Sequence, residues 1–326
     1  MNILFIGGDG TISFECSKEV LRRGHSLTLL KRKDKPVKGL EEATIIASDI
    51  NDTQRVKTVL KGKKFDAVVD FIAFNEKDIL RDYELFKGKT EHYIFISSAS
   101  GYSKPIKALP IKETASFNNT LWDYSNNKVQ AEKALFQLND DTFNVTALRP
   151  SHTYDDQKII AQIKSDDSPF TIIDRILNNQ PLVLANDGTT RWTLTHSIDF
   201  AKAFVDLLGN KKAYNEAFHL TSAYSYTWNE IMQALYDALD KKPYIKHIDI
   251  KDITHYFPSL KGPLLGDKLN DLVFDNTKIK QIAPNYQSSI DYKERIAYIV
   301  NNYLNKNYSI DQALNDTLDD LIKTVN

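Results

Sequence analysis

The chain has 326 residues, 42% of them hydrophobic and 26% charged, with a formal net charge of −1 at neutral pH. That length supports one large or two small domains around a substantial core, and the charge balance excludes a global pull toward nucleic acid or an anionic membrane. A single cysteine, Cys16, excludes an internal disulfide and a cysteine-based zinc site, and no apolar run approaches the roughly 20 residues that span a bilayer.

In chain order, the first element is a strand, Ile3 to Ile6, entered from Asn2 without a basic leader, so a cytoplasmic protein is expected. A glycine-rich turn, Gly7-Gly8-Asp9-Gly10, leads into a helix from Ile12 to Arg23, where Cys16 reads as a small buried apolar residue. Further strands are predicted at Ser26 to Leu30, Thr44 to Ala47, Ala67 to Ile72, His92 to Ser97 and Asn144 to Leu148. Helical patterns fall between them at Asn51 to Leu60, Glu76 to Phe86 and Leu121 to Leu138. The strands are short and mostly apolar throughout, as strands buried on both faces are. The alternation predicts an α/β fold: a Rossmann-type, doubly wound parallel sheet that binds ligands beyond the carboxyl ends of its strands.

After Arg149-Pro150 the rhythm loosens. A polar stretch, Asp155 to Ser168, precedes a helix at Ile172 to Asn178, a strand at Leu182 to Ala185, a turn at Asn186-Asp187-Gly188 and a strand at Thr193 to Thr195. An amphipathic helix follows at Trp228 to Leu239, then a strand at Ile245 to Ile250. The expected organisation is a nucleotide-binding domain over residues 1–150 and a smaller, mostly helical substrate domain over 151–326. Segments near 182–205 are expected to return to the first domain. Apolar residues at Ile310, Ala313, Leu314, Leu318, Leu321 and Ile322 form a helical stripe between Ser309 and Val325. Packing against its own domain and a homodimer contact are the two explanations.

Chemistry concentrates at three places. The glycine turn lies where a strand must pass tightly into a helix, so the backbone can approach a pyrophosphate and the helix N-terminus offers free N–H groups. Tyr124 and Lys128 are four apart and share a helix face. An ammonium near a phenol stabilises the phenolate, which otherwise forms only near pH about 10. Thr120 and Asp123 have the spacing of a capping box that would start this helix. Ser98 ends the fifth strand, placed to hydrogen-bond the substrate oxygen that gains or loses a proton. His152 and the basic runs Lys31 to Lys33 and Lys61 to Lys64 have bland readings beside functional ones, as a structural histidine and solvated loops.

Order and spacing of these pieces resemble the short-chain dehydrogenase/reductase superfamily, in its longer epimerase/dehydratase-like branch. The turn resembles GxxGxxG with Ser13 in place of the third glycine. Its doubled glycine is similar to atypical members, which include chloroplast stem-loop RNA-binding relatives. The resemblance implies that Gly7, Gly8, Gly10, Thr11 and Ile12 hold the cofactor pyrophosphate, Asp49 the adenine edge, and Pro150 the nicotinamide side. It implies Ser98, Tyr124 and Lys128 as the catalytic set, with Ser97 as the fallback serine and Lys128 also on the nicotinamide ribose. Where NAD-specific members place an acid on the ribose, this chain has Lys31-Arg32-Lys33, so the cofactor is NAD(P), leaning to NADP. Asp9 departs from the pattern as a carboxylate beside the pyrophosphate. Trp192 stands where nucleotide-sugar epimerases carry a diphosphate-binding arginine, with Arg191 adjacent. His152, Arg191 and Trp192 are the substrate-side candidates, and no metal site is expected.

The implied activity is an NAD(P)-dependent oxidoreductase or sugar epimerase/dehydratase-like reaction on a small hydroxyl or carbonyl substrate, with a nucleotide sugar among the candidates. The alternative is a cofactor-sensing or RNA-binding protein on the same fold. No nucleic-acid partner and no membrane are expected from the charge and hydropathy.

Overall fold

The computed structural model describes residues 1–140, 142–306 and 308–325. Seven strands form one sheet: β1 (Asn2–Ile6), β2 (Ser26–Lys31), β3 (Thr44–Ala47), β4 (Ala67–Asp70), β5 (His92–Ile96), β6 (Asn144–Arg149) and β10 (Glu216–His219), in the spatial order β10-β6-β5-β4-β1-β2-β3. Every pairing in it is parallel, with Ile6 opposite Leu30 on one side and Asp70 on the other. The order reverses beside β1, which opens a crevice at the carboxyl edge.

Side chains of a strand alternate between faces, and here both faces are dry. Ile3 and Phe5 enter a core with α1 (Ser13–Arg22) and the later helix α6 (Ser197–Phe204). Leu4 and Ile6 enter a second core, which α2 (Thr53–Val59), α3 (Glu76–Phe86) and α4 (Asp123–Gln137) help to cover. All four strand residues are fully buried, which is why β1 reads as a continuous apolar run. The doubly wound α/β class is as the sequence predicts.

The rest of the chain builds a smaller lobe. β7 (His152–Tyr154), β9 (Arg191–His196) and β11 (Ser225–Thr227) make a three-stranded sheet, and β8 (Leu182–Ala185) pairs with β12 (Ile245–Ile248). α5 (Phe170–Leu177), α7 (Trp228–Ala238) and the helix Tyr292–Leu304 enclose the lobe's core. The return to the large sheet is made by β10, while in the 182–205 stretch α6 packs on α1 and the two strands stay in the small sheets. The Asp155–Ser168 stretch has no regular structure, yet Ile159, Ile160, Gln162 and Ile163 within it are buried. Its polar residues mask a short core segment.

Two further differences have local causes. The Thr120–Asp123 capping box is not formed: Thr120 is exposed, α4 begins at Asp123 behind an uncapped Trp122, and Asn119 Oδ1 accepts the Leu121 N–H at 3.0 Å instead. Packing of Trp122 against Gly262 and Gly266 sets the helix start. The C-terminal stripe is spent within the chain. Leu314, Leu318, Leu321 and Ile322 close a small core, and the fully buried Arg175 reaches across to Asp319 Oδ1 at 2.7 Å and Asn315 Oδ1 at 3.1 Å. Ile310 and Ala313 stay exposed.

Arg149, at the end of β6, ties the carboxyl edge together. Its guanidinium is bidentate to Glu132 on α4, donates to the Tyr102 hydroxyl at 2.8 Å and to Glu113 O at 3.0 Å, and lies 3.9 Å from the Phe117 ring centroid. Both members of the ion pair are buried. Removing one charge leaves the other unpaired in a dry setting, so Glu132→Ala is expected to lower unfolding free energy by about 3–5 kcal/mol. A urea denaturation series measures this; an unchanged midpoint would contradict the assigned role.

Candidate active site

Lys128 is the anchor. Its side chain is buried on α4, and Nζ donates to Ala73 O and Ile96 O, both at 2.8 Å, while lying 4.7 Å from the Phe95 ring centroid. Those carbonyls belong to the turn after β4 and the last residue of β5. An ammonium has three donors, so one N–H is left for the cleft that Lys128 lines. Burial lowers its pKa to about 8, against the opposing pull of Asp70 and Asp78. The turn carrying Ala73 is held in its own right, since Asp70 Oδ1 accepts the Ile72 N–H at 2.6 Å and the Ala73 N–H at 2.7 Å.

Tyr124 lies one helical turn earlier, half-buried between Phe74 and Trp122, with ring centroids 5.6 and 4.7 Å away. Burial raises its pKa, the Ser98 hydroxyl opposes that shift, and Asp267 adds to it. Lys128 Nζ is turned to its two carbonyls, and burial of the Tyr124 phenol favours its neutral form.

Ser98 lies two residues past the end of β5, not on the strand end expected from the sequence, and belongs to a small hydroxyl chain. The Ser125 hydroxyl donates to Ser100 Oγ at 2.9 Å, and Ser100 Oγ lies 2.9 Å from Ser98 Oγ. A hydroxyl has one proton to give. Either hydroxyl of the Ser98–Ser100 pair can be the donor, and Ser98 Oγ also accepts the Ser100 backbone N–H at 3.2 Å. The Ser98 hydroxyl also hydrogen-bonds the Tyr124 phenol. Ser97 Oγ, by contrast, is buried without a partner beside the same cleft.

These groups line a cleft of about 310 Å³ together with Thr11, Ile12, Pro150, His152 and Trp192. His152 stacks on Trp192 at 4.4 Å, its Nε2 is buried without a partner, and burial lowers its pKa well below the ordinary histidine value, with Lys158, Lys268 and Lys164 adding to the shift. It is a neutral imidazole. Arg191 does not line this cleft; it is exposed and sits 3.6 Å from Asp271, because alternate strand residues face opposite ways.

A second groove, about 560 Å³, is lined by Gly7, Asp9, Lys31, Arg32, Lys33 and Asp49, among others. Gly7 and Gly8 have φ of +94° and +117°, a region in which side chains are strained. A Cβ on Gly8 would also lie 2.5 Å from Leu29 Cδ2. Gly8 and Gly10 line neither cleft. They shape the turn, and the Gly10 N–H donates to Ser13 Oγ at 2.9 Å, so Ser13 does the work of the missing third glycine by bonding the loop. Asp9 neither caps α1 nor stands alone: Lys31 Nζ donates to it at 2.5 Å, while the cap position, Ile12, has no side-chain bond. An uncapped helix N-terminus and a strained glycine turn fit a dinucleotide phosphate. Arg32 and Lys33 make no ion pair among the described residues. Asp49 Oδ1 accepts the Asn51 N–H at 2.9 Å, and Asp52 caps α2.

Several cleft residues carry no signal in the sequence. Phe74 and Trp122 flank Tyr124 locally, but Lys158, Asp267, Leu272 and Phe274 arrive from distant irregular segments. Among the described residues no cluster could hold a metal ion, and no helix is long and apolar enough to cross a membrane.

Residues 78–220 match the NAD dependent epimerase/dehydratase family. The chain is 22% identical over 289 residues to 2'-dehydrokanamycin reductase of Streptomyces kanamyceticus, covering 88% of this chain and 80% of that protein. It is 26% identical over 245 residues to the chloroplast stem-loop binding protein of 41 kDa b of Arabidopsis thaliana, covering 71% and 61%. Its fold is similar to that of UDP-glucose 4-epimerase of Thermotoga maritima, solved with UDP-glucose, at 18% identity and TM-score 0.73 over 94% of this chain and 99% of the other.

Because Lys128 titrates from about 8, its ammonium is lost as pH rises through that value. Nicotinamide-cofactor affinity is expected to fall on the alkaline side of about pH 8 and to lose this limb in Lys128→Met. A wild-type affinity flat from about pH 6 to about pH 10 would remove the assignment.

Proposed function

We propose that the chain, whose residues 78–220 match the NAD dependent epimerase/dehydratase family, is an NADP(H)-dependent reductase of a small carbonyl substrate. The observation that carries the reading is that Tyr124, Ser98 and Lys128 line one cleft. A phenol there can supply a proton to an oxygen that gains one.

When bound, the reduced nicotinamide supplies a hydride to the carbonyl carbon. Tyr124 delivers the proton to the oxygen, so that one hydride and one proton convert the carbonyl to a hydroxyl. Ser98 donates a hydrogen bond to the same oxygen and holds it against the phenol. Lys128 has one N–H left for the nicotinamide ribose, and its two carbonyl bonds fix where that donor points. Phe74 and Trp122 keep water from the phenol. Reversal of the same steps oxidises an alcohol, and return of hydride to a rotated substrate would give epimerisation. The reductase from Streptomyces kanamyceticus supports the reductive direction.

Arg32 and Lys33, unpaired beside Asp49, support NADP over NAD, since a 2'-phosphate would meet a guanidinium with a fitting fork. Lys31 is already engaged with Asp9, so Arg32 carries the preference. The alternative of an RNA-binding protein has a relative in the chloroplast protein, but the site retains a proton donor that RNA binding does not need.

Tyr124→Phe is expected to cut turnover by about 10²–10⁴-fold while NADPH affinity stays within a few-fold, whereas Lys128→Ala damages both. Stopped-flow and calorimetric titration separate the two, and equal loss of binding in both variants would contradict the roles. In parallel titrations NADPH should bind more tightly than NADH. Arg32→Ala should weaken NADPH by about tenfold or more without affecting NADH, the loss expected for one charge-assisted hydrogen bond; an equal effect on both cofactors would count against NADP selectivity.

A further inference from the structure

Asp267 reaches the cleft from a late part of the chain. Lys261–Pro263 and the π-helical turn Leu264–Lys268 cross directly over Trp122. A Cβ on Gly262 would lie 2.6 Å from the indole Cδ1, and one on Gly266 would lie 2.8 Å from the Trp122 Cβ. Asn119 Nδ2 pins the crossing by donating to Gly266 O at 2.8 Å. The two glycines permit this approach, and π turns recur at functional sites. The consequence is one carboxylate in a cleft walled by Trp122, Trp192, Leu272 and Phe274.

The carboxylate is only partly spoken for. The Trp192 indole hydrogen-bonds it and favours its charged form. Burial raises its pKa to about 6 against the pull of Lys104, Lys268 and that indole. Lys268 Nζ is committed to Gln162 O at 2.7 Å, while Lys104 Nζ is buried without a hydrogen-bond partner. Lys104 and Asp267 therefore offset each other's charge, which favours neither a free cation nor a free anion as ligand. Lys158 adds a donor on the same cleft, and His152 Nε2 and Ser97 Oγ are buried without partners around it. Unmet donors and acceptors among apolar side chains suit a ring that carries several hydroxyls and also has an apolar face.

Size points the same way. The cleft of about 310 Å³ is at the lower end of the roughly 300–1,000 Å³ usual for small-molecule sites, and the nicotinamide must share it. No arginine lines it, so a diphosphate would find no guanidinium fork there.

We propose that Asp267 reads vicinal hydroxyls in the substrate subsite, and that the substrate is a single unphosphorylated, sugar-like polyol ring rather than a nucleoside diphosphate conjugate. This rests on the reductase reading, with the carbonyl carried on that ring.

The test uses the full chain saturated with NADPH, probed with myo-inositol, methyl galactoside and UDP-glucose by tryptophan fluorescence and calorimetry. The unphosphorylated rings should bind more tightly than UDP-glucose. Asp267→Asn and Asp267→Ala should each weaken them by about tenfold or more, as expected for lost hydrogen bonds to a charged group, with NADPH affinity unchanged. Tighter binding of UDP-glucose, no binding of either polyol, or polyol affinity indifferent to both substitutions would overturn the proposal. So would loss of NADPH affinity in both variants, because Asp267 would then serve the cofactor or the fold. If wild-type protein fails to bind NADPH, the reductase reading itself falls; NADPH binding without any polyol response overturns the substrate inference alone.

Discussion

A buried ammonium must find acceptors, and the position of Lys128 follows from that requirement. Two carbonyls, one after β4 and one at the end of β5, satisfy it and thereby clamp α4 to the carboxyl edge of the sheet. Such a charge is costly to leave unpartnered in a dry interior, so the clamp fixes the depth and rotation of the helix. Tyr124, one turn earlier, is carried along. The turn after β4 is in turn stiffened by Asp70, which places Phe74 against the phenol. Thus a single electrostatic demand joins two strand ends, one helix and the proton donor.

The same edge is braced from the other side by Arg149. Its bonds to Glu132, Tyr102 and Glu113 O link β6, α4 and the loop after β5, and His219 on β10 meets the same Tyr102 hydroxyl. Ser98 and Ser100 lie in that loop, so their hydroxyl chain is built on a braced backbone. The cofactor side follows a different logic. There the strained glycines make room, Ser13 closes the turn, and Asp9 is neutralised by Lys31. What looks like a misplaced carboxylate beside a phosphate site is half of an ion pair, and its effect on the charge of the groove is largely cancelled.

Much of this was legible in the residues themselves. The strand from Thr44 to Ala47 and the helix from Glu76 to Phe86 have the ends expected of them, because uniform apolarity and an Asn75–Asp78 capping box are local signals. Tyr124, Lys128 and Ser98 line one cleft. Thr120 misled, because a cap depends on whether the neighbouring backbone turns toward it, and the packing of Trp122 decides that turn. β10 was not read as the seventh strand, since its four residues carry no long apolar run and their place beside β6 is a long-range pairing.

The sequence alone determined the doubly wound α/β class, the glycine turn and the Tyr124–Lys128 register, because each rests on periodicity or on contacts within a few residues. Only the tertiary structure decided the anchoring of Lys128 and the far wall of the site. Lys128 is held by two carbonyls contributed by other segments, and Asp267, Trp192 and His152 converge from separate parts of the small lobe. Burial and charge partnership are sums over everything that packs nearby, and no local pattern of residues contains that sum.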